Sequence, residues 1–305
     1  MFKASLAAAL ALTLLQARQP PPTIKSGTAV VTVDAVALDN EGNVVTDLAA
    51  ADFEVFEDGR PMPVTAFVPP GGGAAPGQSP RLVVLMLDDY TSPPLRIWRI
   101  KDMARQFVDR MGPNDVLAVV TLNGGHATTS TSPEAARAAI EGFRPSPPTT
   151  IPQPSRNEMA LKAIRDLARQ LEDVKQMRKT LVCLCSPYLF TDANQRSRTT
   201  QTVWLDTSRA ASRANASVYI VDPGGLAGPS NRLLDDATSL AIETGGVAFV
   251  NTNFLEQSVA RIWDEAGHYY LLGYAQPPAN GRKQHAIEVR VSRPGVEVRA
   301  RRERG

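Results

Sequence analysis

The stretch Arg81 to Ser92, RLVVLMLDDYTS, decides the fold. Six consecutive apolar residues, Leu82 to Leu87, are too few for a helix buried on every side. Their Val and Leu content suits a strand covered on both faces, as in a parallel sheet. Asp88 is then the first residue off that sheet. Ligands sit in the loops beyond the carboxyl ends of the strands in open α/β sheets, so Asp88 and Asp89 have a functional reading from position alone.

Working outward, similar apolar runs recur at Asp115 to Leu122 (DVLAVVTL), Lys179 to Cys185, Ser217 to Asp222 (SVYIVD) and Val247 to Val250. Between them the spacing turns helical. Leu95 to Met111 carries Ile97, Ile100, Met103, Ala104, Phe107, Val108 and Met111 and stops at Gly112-Pro113. Further helices are predicted over 133–142, 155–177, 199–214, 233–243 and 254–266. Strands alternating with helices predict a doubly wound, Rossmann-like α/β domain over 81–275.

Both flanks read as β. Over 29–68, Val31, Val33, Ala35 and Ala37 alternate with Thr32, Asp34, Val36 and Leu38, a turn follows at Asp39 to Asn43, and a second strand closes at Asp58-Gly59. Over 276–305, the runs Gln284 to Arg290 and Gly295 to Arg301 alternate strictly. Each flank is too short to bury a core alone, so the two are expected to pack together as a small β-sandwich. Residues 69–80, including PPGGGAAPGQSP, read as a linker between sandwich and α/β domain. The six arginines from Arg290 to Arg304 are expected on a solvated sheet face rather than on a nucleic-acid stripe.

The formal net charge of the 305 residues is +2, which provides no electrostatic case for nucleic acid as a partner. The chain opens Met1-Phe2-Lys3, is apolar and small from Ala4 to Leu15, then turns polar and Pro-rich. That is the pattern of a secretory signal peptide, with cleavage expected after Ala17 and a secreted or periplasmic product. The run falls short of the roughly 20 residues of a transmembrane helix, and no later stretch approaches that length. The two cysteines, Cys183 and Cys185, are expected as buried thiols, because an extended strand holds neighbours at that spacing apart.

The acidic end of the opening strand, the order of strands and helices after it, and the segment Leu240 to Tyr274 (LAIETGGVAFVNTNFLEQSVARIWDEAGHYYLLGY) together resemble the von Willebrand factor A (VWA) domains. More closely, the chain resembles the secreted branch called VWFA-related proteins of Acidobacteria, in which a prelude like VVTVDAVALDNEGNVVTDLAAADFEVFEDGRPMPVTAF precedes the A domain. The resemblance implies a metal-ion-dependent adhesion site (MIDAS) at the top of the sheet. In it a hard cation such as Mg2+ is held by an Asp-x-Ser-x-Ser loop, a Thr and a second Asp, with one position open to a partner's carboxylate. On this chain the first acid is Asp88, the first Ser position holds Tyr90 and the second holds Ser92. The Thr is Thr149 or Thr150, and the last Asp position holds Ser186, so a carboxylate is missing there. Asp89 could compensate, or Asp88 could serve only as a turn acid bonding loop amides.

The function expected is a non-catalytic binding module, recognising a protein or cell-surface polymer through the loops after Asp88, at 123–131 and at 149–154. A structural role in an envelope assembly, docking through the β module, is the alternative. A hydrolase is disfavoured: there is no Gly-x-Ser-x-Gly elbow, and His126, His268 and His285 have no metal-ligand spacing.

Overall fold

The computed structural model describes residues 30–71, 80–90, 96–123, 127–145, 151–174, 177–190, 198–227, 235–278, 281–282 and 284–304. The expected leader at 1–17 and most of the expected linker lie outside the described residues. Four strands come first: β1 (Val30–Leu38), β2 (Phe53–Glu57), β3 (Arg60–Met62) and β4 (Val64–Val68). Six strands form the central sheet: β5 (Leu82–Leu87), β6 (Val116–Thr121), β7 (Ala127–Ser130), β8 (Lys179–Leu184), β9 (Ala216–Val221) and β10 (Ala248–Phe249). The last four are β11 (Tyr270–Ala275), β12 (His285–Val291), β13 (Glu297–Ala300) and β14 (Glu303–Arg304). The helices are α1 (Ile97–Val108), α2 (Pro133–Gly142), α3 (Gln153–Leu171), α4 (Arg198–Ala214), α5 (Asp235–Glu243) and α6 (Leu255–Gly267).

The central sheet runs β10-β9-β8-β5-β6-β7, parallel except for β7. All six side chains of β5 are buried, because helices cover both sheet faces. Leu82, Val84 and Met86 share a core with Leu161 and Ile164 of α3, Ala210 of α4 and Leu240 of α5. Val83, Leu85 and Leu87 face the other way, onto Ile100 and Phe107 of α1, Ile140 of α2 and Ile262 of α6. Each such side chain contributes about 1.5–3 kcal/mol by leaving water. From β5 the chain goes to β6 on one side and later returns to β8 on the other. The gap between the ends of β5 and β8 is therefore the switch point of a doubly wound sheet, where loops diverge and leave a crevice.

Two features of this sheet differ from the sequence reading. Residues 127–130, expected within a loop, form the antiparallel edge strand β7 on β6; Ala-Thr-Thr-Ser carries no apolar run to betray it. Cys183 and Cys185 are bonded to each other, not free thiols. Strand β8 ends at Leu184, so Cys185 is already off the extended path. The two Cα atoms are 5.3 Å apart, inside the disulfide range and closer than the roughly 6.6 Å of a regular strand.

The outer strands form two antiparallel four-stranded sheets, β13-β1-β11-β4 and β14-β12-β2-β3. Residues from both meet in one core, with Val33, Phe53, Val55, Tyr270, Leu272 and Ile287 buried together. Phe53, Phe67 and Tyr270 stack at its centre, with ring centroids 4.9–5.9 Å apart. Strand β11 pairs with β1 and β4 and not with the parallel sheet. The domain boundary expected at 275 therefore falls before Tyr270.

The sandwich sits on the amino-terminal edge of the parallel sheet. Asn215, just before β9, donates to Asp34 of β1 at 2.6 Å, and Arg302 N–H donates to the Glu243 carbonyl at the end of α5. Arg301 donates to the carbonyls of Thr32 and Ser212, one on each side of the seam. Beneath it, Tyr219 donates to Glu265 at 2.7 Å and accepts from Arg178 at 3.1 Å, and Arg299 of β13 pairs with the same glutamate. The polar side of β1 is thereby covered, with Asp34 only 3 % exposed, and one expectation changes accordingly. The arginines of the tail are not all solvated: Arg299, Arg301 and Arg304 are turned into the seam or the sandwich, while Arg290 and Arg302 stay exposed.

Candidate functional site

With its amino edge occupied by the sandwich, the parallel sheet offers its carboxyl edge to ligands. Asp88 and Asp89 leave β5 there, Ser186 follows β8, and Asp222 follows β9. Leu87 is in register with Leu184, and Leu184 with Val221, so these residues step off the sheet at the same level. All four are buried: Asp88 0 %, Asp222 1 %, Asp89 3 % and Ser186 8 % exposed.

Asp88 Oδ1 accepts the Tyr90 N–H at 2.9 Å, the bond of a turn acid shaping its own loop. Asp89 Oδ1 accepts the Asn123 N–H at 3.0 Å, tying the β5 loop to the end of β6. Burial pushes the Asp89 carboxyl up to about 6, with the charge of Asp88 adding to the rise and the Asn123 and Thr121 hydrogen bonds opposing it. Burial likewise raises Asp222, helped by Asp88 and resisted by the Gly224 N–H, Arg96 and Arg99. Asp222 Oδ1 accepts that N–H at 2.7 Å, while Oδ2 is buried with no hydrogen-bond partner among the described residues. Gly224 has no space for a side chain here: a Cβ would stand 2.9 Å from Asp222 Oδ1 and 3.0 Å from Arg96 Nη1.

Of the residues assigned by resemblance, the structure brings together Asp88, Asp89 and Ser186. Tyr90, in the first Ser position, is 4 % exposed and packs into the core with Met86 and Leu189, while its carbonyl accepts from Arg156 of α3. Burial raises its phenol, so this position offers a core ring in place of a small ligating hydroxyl. Ser92, Thr149 and Thr150 lie outside the described residues. The structure adds Asp222, which the sequence signals by the same form as Asp88: SVYIVD, like RLVVLMLD, is a buried strand ending on an acid.

The loops of this edge also carry exposed apolar side chains. Trp98 in the first turn of α1 is 61 % exposed, Tyr188 in the 3-10 turn after β8 43 %, Leu226 in the 3-10 turn after β9 62 %, and Phe254 at the start of α6 67 %. Leu226 N–H donates to Asn253 Oδ1, Arg99 donates to the Pro223 carbonyl, and the Arg99 guanidinium lies 5.3 Å from the Trp98 ring centroid. The loops bearing Trp98, Leu226 and Phe254 are thereby in contact.

A cleft of about 330 Å³ opens elsewhere, between α4 and the sandwich, lined by Arg169, Asp206, Arg209, Arg213, Gln284 and Arg304 among others. Its arginines are largely matched: Arg209 by Gln284 and Asp206, Arg213 by Glu172, and Arg304 by Glu57. In the sandwich, Glu57, Asp58 and His285 form a group that could hold a metal ion. Among the described residues no helix is long and apolar enough to cross a membrane. No protein-family model matches the chain, and no curated protein matches it.

Proposed function

We propose that the chain is a secreted, non-catalytic binding module of the VWA type that engages a protein or cell-surface partner with the carboxyl edge of its parallel sheet. The observation that carries this reading is the gathering of Trp98, Tyr188, Leu226 and Phe254 on the loops of that one edge. Large exposed apolar side chains cost solubility unless something covers them, and aromatic residues beside arginines are the usual anchors of protein contacts. The sandwich already covers the opposite edge with the polar side of β1, which favours this reading over docking through the β module.

A divalent cation, Mg2+ by the family resemblance, would be held at the centre of this edge by Asp88, with Ser92 and Thr149 as the hydroxyl ligands. The described residues fit it in part. The orphan Asp222 Oδ2 is the kind of atom a cation satisfies, and Asp222 stands in for the carboxylate that Ser186 lacks. The ion would supply a Lewis-acidic position for a carboxylate of the partner.

Calorimetric titration of Mg2+, Mn2+ and Ca2+ into wild type, Asp88→Ala and Asp222→Asn tests the cation. Uptake by wild type that is lost in both variants is expected; silence with all three ions removes the cation from the proposal. Recovery of partners from an envelope extract, compared between wild type and the Trp98→Ala/Phe254→Ala double variant, tests the face. Equal recovery by both would sink it.

A further inference from the structure

A second set of ligand-bearing side chains lies in the sandwich, away from the carboxyl edge. Glu57 ends β2, Asp58 opens the turn after it, and His285 begins β12, the strand paired with β2. Glu57 is 3 % and His285 8 % exposed. His285 Nδ1 lies 2.9 Å from Asp58 Oδ2 and 3.3 Å from Glu57 Oε1. Three atoms that carry lone pairs thus converge on one point. A proton on Nδ1 bonds Asp58 well, but at 3.3 Å it serves Glu57 poorly.

We propose that Glu57, Asp58 and His285 form a zinc-type metal site, taking a borderline divalent cation through Oε1, Oδ2 and Nδ1. A tetrahedral zinc with bonds of ~2.0 Å sets its ligand atoms about 3.3 Å apart, so the 2.9 and 3.3 Å separations from His285 need shifts of only a few tenths of an ångström, and the three residues' ligand atoms all lie within 4.8 Å of one another. One imidazole and two carboxylates select such an ion over magnesium, which prefers an all-oxygen octahedron. The fourth position falls to water, on the side where Asp58 is 17 % exposed.

The other donors and acceptors around the site suit this role. Asp58 Oδ1 accepts the Ala286 N–H at 3.0 Å, and Glu57 Oε2 accepts from the Tyr274 hydroxyl at 2.6 Å and Arg304 Nε at 2.9 Å. Metal-binding carboxylates are characteristically fixed in this way through their second oxygen. Arg304 Nη2 also donates to Glu57 Oε1 at 2.6 Å, which uses one of the two lone pairs on that oxygen and leaves one for an ion. Among the described residues, two carboxylates face one buried guanidinium, that of Arg304, which leaves room for further positive charge. Arg282, 3.7 Å from Asp58 Oδ1, is 67 % exposed and screened by water. An ion here would join β2 to β12 and brace β14, whose Arg304 is opposite His285.

The test is calorimetric titration of Zn2+ into the metal-stripped full chain, with Co2+ as the optical probe. The variants are Asp58→Asn, His285→Ala and Asp88→Ala. Asn tolerates the left-handed backbone at position 58, where φ is 49°, so Asp58→Asn decides the matter even where His285→Ala does not fold. Expected are Zn2+ uptake by wild type, a loss of more than about tenfold in affinity in Asp58→Asn and His285→Ala, and the visible spectrum of four-coordinate Co2+. No uptake by wild type would overturn the proposal, as would uptake unchanged by Asp58→Asn. Uptake lost only in Asp88→Ala would move the ion to the carboxyl edge and leave the sandwich without one.

Discussion

At the scale of single residues, Asp89 is the acid whose environment is most informative. Its carboxyl titrates at about 6 in the folded chain against an ordinary value of 3.8. The folded state therefore binds the proton more tightly than the unfolded state does. The contribution of Asp89 to stability falls as pH rises from about 4 to 6 and is constant above that. Asp89→Asn, which removes the buried charge, is expected to gain about 1–3 kcal/mol over wild type at pH 7 and nothing below about pH 4. Urea unfolding at the two pH values measures this, and an advantage that does not change with pH would contradict it. Asp88 and Asp89 were legible in the sequence because they follow an unbroken apolar run. Asp222 obeys the same rule and was within reach. The fate of Tyr90 was not, since nothing in DDYTS tells a core ring from a loop phenol. The Cys183–Cys185 bond escaped for a related reason: the spacing argument assumes a strand that continues, and this one stops at Leu184.

At the scale of elements, strands β5, β6, β8 and β9 announce themselves because parallel strands between two helical layers must be apolar on both faces. Strand β7 does not, because it lies at the sheet edge with a single neighbour and two threonines at its centre. Strand β11 lies inside the range 81–275 read as the α/β domain, because Tyr270–Ala275 follows α6 directly and only its pairing with β1 and β4 reveals its partners. Those elements are joined across the seam by Glu265, which is 0 % exposed and meets Tyr219, Arg299 and Arg261. Removing one member of a buried charge cluster strands the others without water. Glu265→Ala is expected to cost about 3–5 kcal/mol, with Glu265→Gln costing less because it keeps one acceptor for Tyr219. Guanidinium unfolding of both variants checks the magnitude and the order, and a loss in Glu265→Ala within about 0.5 kcal/mol of wild type would mean the cluster is solvated.

At the scale of the molecule, the two modules share hydrogen bonds through Asp34, Asn215 and Arg301 and buried charges through Asp34, Arg178, Glu265 and Arg299. Neither is expected to unfold alone, so differential scanning calorimetry should show one transition with equal calorimetric and van't Hoff enthalpies; two resolved transitions would refute the coupling. The pairing of distant flanks was legible in outline, because each carries alternating strands too few to close a core. Where the sandwich would sit was not, since Asp34 and Arg301 look like surface residues until their partners across the seam are known. Strands β1 and β14, the first and last described, both belong to the module packed against the amino edge. The protein accordingly has a base and a crown. A molecule fixed to a support near residue 30 or residue 304 would hold Trp98, Leu226 and Phe254 away from the support, facing the medium.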